Sequence, residues 1–176
     1  MLDPMPIYRL GERVPRIDSS AFVHPDAVII GDVTIGAESS IWPGAVLRGD
    51  YGSIVVGDRT SVQDGTVVHA TAELATLIGS NCVIGHVAHL EGCFISDHVL
   101  VGSGSVLLHR VKVWPHAIVG ANAVVTNDTE IPSFAMALGV PVKVLENRVP
   151  EGAIQPAVEL YVRNGIRYRN ELERIG

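Results

Sequence analysis

Rings are scarce in this chain: Phe, Trp and Tyr supply 5% of the 176 residues, while hydrophobic residues as a whole supply 47%. That imbalance excludes a thick aromatic core and suits a narrow one filled with Val, Ile and Leu. Cysteine is nearly absent too. Cys82 and Cys93 read as free thiols in a reducing compartment, not as a disulfide scaffold, and they lack the close spacing of structural zinc pairs. Positive charge is limited to 13 Lys and Arg, scattered along the chain, against 19 Asp and Glu, a net charge of −6. Nucleic acid and anionic membranes are therefore poor partners. No stretch approaches the length of a membrane span, and MLDPMPIYRLGERVPR has no apolar signal region, so the expected location is the cytoplasm. No linker interrupts the sequence, which argues for one structural domain.

What the chain has in abundance is a period of six. Aliphatic residues stand at Ile17, Val23, Ile29, Ile35, Ile41, Leu47, Val56, Val62, Val68, Ile78, Ile84, Leu90, Ile95, Val101, Leu107, Val113, Val119, Val125 and Ile131. Six suits neither a helix nor an ordinary strand. It is the repeat of a parallel β-helix, in which each hexapeptide gives one short strand and a turn, and three hexapeptides close a triangular coil. The spacing slips around Tyr51–Ser53, within Ala70–Thr76 and between Leu90 and Ile95, and the surplus residues are expected to bulge as loops. Counting rungs stacks Leu47, Val68, Leu90, Leu107 and Val125 on one face. Side chains alternate along a strand, so Arg48, His69 and Glu91 form an outward column. On the preceding face Val62 stacks with Ile84, which brings Asp64 and His86 into register.

After Ile131 the period stops, and an irregular return segment is expected before a helix. Pro156 suits that helix's first turn, and Val158, Tyr161, Val162, Ile166, Arg169 and Leu172 form one stripe. The expected organisation is a β-helix with an N-terminal cap strand over 1–149 and a helix within 150–176 packed along it. Outward residues such as Trp42 leave apolar area to hide, and a homo-oligomer is the natural outcome.

The chemistry-bearing residues cluster in LRGD (Leu47–Asp50), QDGTVVH (Gln63–His69) and IGHVAHLEGC (Ile84–Cys93). In these elements, taken in order and over nearly the whole chain, the sequence resembles the γ-class carbonic anhydrases. The resemblance implies a left-handed β-helix homotrimer, with zinc, or iron or cobalt, held between subunits. It implies hydration of carbon dioxide through a metal-bound hydroxide. His69 and His86 match two of the family's three metal-binding histidines. Glu91 stands where the third is found, and glutamate is itself a zinc ligand in catalytic sites. His89, two residues away on the same strand face, is a substitute ligand. A carboxylate leaves the site one positive charge fewer than an imidazole, so a bound water is less acidic than the pKa of about 7 reached with three histidines.

By the same resemblance, Arg48 and Asp50 form an ion pair beside the metal, Gln63 and Asp64 orient the bound water and its neighbours, and Tyr161 comes near from the helix. Arg48, Asp50 and Asp64 also suit a salt-bridge network that locks a trimer, and Tyr161 suits simple packing. The family's proton-shuttle loop is missing, because Tyr51 follows Asp50 directly, and Glu73 is the only nearby replacement. Three alternatives stay open. One is a metal-dependent hydrolase acting on a small ester or amide. Another is an acyltransferase of the same fold, with His109 or His116 as its base. The third is a non-catalytic subunit of a larger assembly. His24, His98, His109 and His116 otherwise read as surface residues.

Overall fold

A computed structural model describes residues 6–176 as a stack of short parallel strands closed by one C-terminal helix, the parallel β-helix that the period predicts, with the left hand that the family resemblance implies. Residues 1–5 of the expected N-terminal cap lie outside the described residues; of that cap, Ile7–Tyr8 pairs in parallel with Ile29–Ile30. Every rung from Val23 to Ile131 is buried. Parallel pairing joins Leu47 to Val68, Val68 to Leu90, Leu90 to Leu107 and Leu107 to Val125, the register that the rung count requires. Corners are turned in the left-handed backbone region, at Gly44, Gly65, Val87, Gly104 and Asn122 along one edge and at Glu38, Arg59, Asn81, His98, His116 and Phe134 along another.

The first slip is not a loop. Val46–Val56 is a continuous strand of 11 residues that runs round the corner beside the 8-residue strand Val28–Ile35, with its register shifting between Gly31 and Val33. The surplus is absorbed because glycine backbone stacks on glycine backbone where the strands turn. A Cβ on Gly31 would lie 2.2 Å from the Gly49 carbonyl oxygen, and one on Gly49 would lie 2.5 Å from that of Asp32. Two long strands thus join two faces of the prism into one 12-stranded sheet, and the third face is a separate 8-stranded sheet. Asp32 locks this corner by accepting hydrogen bonds from the Ser53 hydroxyl and, at 3.0 Å, from Arg16 Nη2. The second slip, by contrast, does leave the sheet between His69 and Thr76.

These bonds, the one from Ser53 foremost, hold the Asp32 carboxyl below its usual range against the opposing effect of burial. A depressed folded pKa means that the stabilisation is complete above the unfolded value of about 4 and is lost as pH falls through the folded value. Asp32→Asn is therefore expected to cost about 1 kcal/mol at pH 7. In denaturant unfolding the gap between parent and variant should narrow by pH 3. An unchanged gap would contradict the assignment.

The ladder also continues past Ile131. Met136–Leu138 pairs in parallel with Ile118–Val119, and Lys143–Leu145 then folds back antiparallel over this last coil, so the segment is one more rung and a hairpin. The helix spans Gln155–Glu171 and lies across the 8-stranded sheet. Its buried residues are Val158, Val162 and Gly165, while Ile166 and Leu172 of the expected stripe are exposed. Aromatic packing sets this rotation. Trp42 is 6% exposed, with Phe22, Tyr161 and Tyr168 against its ring and its indole N–H bonded to Ser40 and Ser61. Trp42 is thus covered by the chain's own helix and leaves nothing for a partner to hide. Partly exposed apolar side chains lie elsewhere, among them the outward column of Val46, Val67, Val106 and Val124 that flanks His89.

Candidate functional site

Register alone brings three of the expected residues together. Arg48, His69 and Glu91 are Cα partners on successive strands, so their side chains leave the sheet one above another. Arg48 Nη1 donates to Asp50 Oδ2 within the same chain. His69 stands between two carboxylates, with Nε2 3.0 Å from Asp50 Oδ1 and Nδ1 3.0 Å from Glu91 Oε1. Burial opposes ionisation of both acids, but the bonds from Arg48 and His69 and the charge of Arg48 outweigh it at Asp50, and the bonds and charge of His69 and His109 do so at Glu91. Both carboxyls sit below their usual range and are anions at neutral pH.

The remaining residues stand at the end of the neighbouring sheet's strands and in the helix. Val62 pairs with Ile84, and two residues on His86 Nδ1 lies 2.9 Å from Asp64 Oδ2, both side chains about half exposed. Gln63 is buried at the same corner, its N–H bonded to the Ile84 carbonyl. Tyr161 is half-buried in the helix cluster and packs edge-on against Trp42 at 6.0 Å. Each chain therefore carries two groups in different places: Arg48, Asp50, His69 and Glu91 on strands of the 12-stranded sheet, and Gln63, Asp64 and His86 in the corner turns that follow Ser61–Val62 and Val83–Ile84 of the 8-stranded sheet. Among the described residues of one chain, no three His, Cys, Asp or Glu side chains are placed to hold a metal ion.

The donor chemistry of the two groups nevertheless suits a cation. A metal-binding histidine usually donates its other ring N–H to a carboxylate, which fixes ring and tautomer. His86 has Asp64 at Nδ1, which leaves Nε2 to ligate. His69 has Asp50, itself held by Arg48, at Nε2, which leaves Nδ1 beside Glu91. Tetrahedral zinc with bonds of about 2.1 Å keeps its ligands about 3.4 Å apart. The 3.0 Å between His69 Nδ1 and Glu91 Oε1 is a hydrogen-bond distance, and an ion held by both would have to widen it by about 0.4 Å.

Sequence reasoning did not place His109 beside Glu91 or Leu74 beside Gly92. His109 Nε2 lies 3.6 Å from Glu91 Oε1, and the signal was in the ladder: His109 follows the Leu107 rung by two, as Gly92 follows Leu90. Leu74 was hidden in the second slip and reaches back over Gly92. His89 Nε2, 3.4 Å from Glu91 Oε2, completes three imidazoles around one carboxylate. Glu73 is exposed, and its carboxylate accepts from Thr71 Oγ1 at 3.4 Å. His116 stacks between His98 and Phe134 along another corner, at ring separations of 5.0 and 4.8 Å. Cys82 and Cys93 are buried, which pushes both thiols up to about 12, so neither is a nucleophile or ligand as it stands.

Comparison with known proteins gives the same fold and a choice of chemistries. The family description "Bacterial transferase hexapeptide (six repeats)" matches residues 15–49. The chain is 43% identical over 146 residues to the mitochondrial gamma carbonic anhydrase 2 of Arabidopsis thaliana, covering 80% of this chain and 52% of the plant protein. It thus spans about half the length of that relative. It is 37% identical to the carnitine operon protein CaiE of Escherichia coli K12, covering 81% of this chain and 73% of CaiE. Among solved structures, a putative acetyltransferase of Bacillus cereus superimposes with a TM-score of 0.91 at 34% identity, over 93% of this chain and 96% of the other. Among the described residues no helix is long and apolar enough to cross a membrane.

Proposed function

The chain belongs to the γ-class carbonic anhydrase family of hexapeptide-repeat proteins, and from that premise we propose that it works as a homotrimer with a divalent cation at each subunit boundary. His69 and Glu91 of one chain and His86 of the next hold it. The observation that carries this reading is the split of the donors into two groups, one on strands of the 12-stranded sheet and one in the corner turns beyond the 8-stranded sheet, each histidine already oriented by a carboxylate. A second copy supplies the missing half. The partly exposed valine column beside His89 gives such a copy an apolar surface to bury. Zinc suits the His, His, Glu donor set, with iron or cobalt as alternatives.

The proposed reaction is hydration of carbon dioxide to bicarbonate in the cytoplasm, and bound at the boundary, the cation supplies the Lewis acidity that makes a water acidic near neutral pH. This chain's own residues position and exclude. Asp50, steadied by Arg48, fixes the His69 ring; Asp64 fixes His86; the amide of Gln63 orients a water at the same corner; Tyr161 braces the helix that lies against that corner's sheet. Glu91 supports a second reading, slower hydrolysis of a small ester or amide, because its charge makes that water less acidic. Metal content and carbon dioxide hydration, measured on protein purified without chelator or histidine tag, test the proposal. We expect about three ions per trimer, one at each boundary, and hydration that is lost on chelation and restored by zinc. A metal-free monomer at micromolar concentration contradicts it.

A further inference from the structure

The excursion between His69 and Thr76 is built against the His69 and Glu91 column rather than hanging free of it. It closes on itself, with the Thr71 N–H donating to the Leu74 carbonyl and the Leu74 N–H donating to Thr71 Oγ1. Two glycines let it lie close. A Cβ on Gly52 would stand 2.1 Å from the Thr71 carbonyl oxygen. One on Gly92 would stand 3.0 Å from Leu74 Cβ, 3.1 Å from Leu74 Cδ1 and 3.3 Å from His109 Cδ2. Gly92 also sits at φ +60°, where a side chain is strained in any case. Leu74 and His109 therefore border the same vacant position, immediately after Glu91, and His109 is itself 3.6 Å from the Glu91 carboxylate. The side chain brought to this place is aliphatic, half-buried and out of the prism core, next to the His109 imidazole that reaches the Glu91 carboxylate.

From this geometry we infer that Leu74 is the specificity-determining wall of the site, an apolar screen that admits small, nearly linear solutes and rejects bulkier carboxylates and esters. The inference rests on the proposed function and names its substrate class more narrowly. An aliphatic wall costs nothing to a small apolar gas, whereas an anion with a bulky body must displace it and desolvate its charged end. The neighbouring glycines have the same purpose, since a side chain at Gly92 would push Leu74 off the column.

The test uses trimer loaded with cobalt, whose visible spectrum reports anions that reach the ion. Thiocyanate is the small linear probe and benzoate the bulky one. We expect the parent to respond to thiocyanate far below the concentration at which it responds to benzoate. In Leu74→Ala benzoate should act at a concentration at least tenfold lower, with cobalt content and the thiocyanate response unchanged. Leu77→Ala, on the strand that follows, should behave as the parent. Equal benzoate responses in parent and Leu74→Ala overturn the wall, as does a loss of cobalt on truncation, which would make Leu74 a support for the ion. Failure of the parent itself to take up cobalt overturns the proposed function and the wall together.

Discussion

Alanine at His69 is expected to strip the cation from the assembly while the prism stays folded. The imidazole stands outside the core, above a strand whose inward residue, Val68, is fully buried and unaffected. Its loss leaves Asp50 with Arg48, and Glu91 with His89 and His109, so the cost in stability is about 1–2 kcal/mol, that of one or two broken hydrogen bonds. The effect on metal is of another order, because two protein ligands do not replace three and the carboxylate-oriented nitrogen is gone. Elemental analysis should find no bound ion in a variant whose thermal unfolding remains cooperative. Equal metal in variant and parent would place the site elsewhere.

A second large effect is expected from Glu91→His. One carboxylate beside a divalent cation cancels one of its charges, and replacing it by a neutral imidazole should make water at the ion more acidic by at least about a unit. Carbon dioxide hydration at neutral pH should then rise more than about tenfold, each unit of pKa being about 1.4 kcal/mol. Stopped-flow indicator assays across pH 6 to 9 would show both the gain and the shift of the profile to lower pH. Metal without a gain in activity would move the hydrolytic or assembly reading ahead of the anhydrase one. A variant with neither metal nor activity would remove the enzyme assignment.

Legibility followed the physics of the ladder. An inward aliphatic every sixth residue fixes which side chains stack, so the columns of Arg48, His69 and Glu91 and of Asp64 and His86 followed from counting alone. What counting misses is whatever depends on corners. Continuous strand at Tyr51–Ser53 needs Gly31 and Gly49 stacked with no Cβ between them, and Leu74 meets Glu91's neighbourhood only because Gly92 leaves room. The helix was found, but not its rotation. Phe22, Trp42, Tyr161 and Tyr168, drawn from distant parts of the chain, turn Gly165 inward and Ile166 outward. No local period encodes that choice. Nor does the ladder announce its own end, because Ala137 fills the next rung where Val, Ile or Leu would be expected.

Mixing two inactive variants tests the central claim, that each site is shared between chains, most directly. His69→Ala and His86→Ala homotrimers should each lack the cation. After unfolding and refolding an equal mixture, a boundary regains its site when a chain with intact His69 meets one with intact His86 in the right order, which random assembly provides at about one boundary in four. Metal content should therefore return to about a quarter of the parent's. Full metal in His86→Ala alone, or no recovery on mixing, would contradict the account.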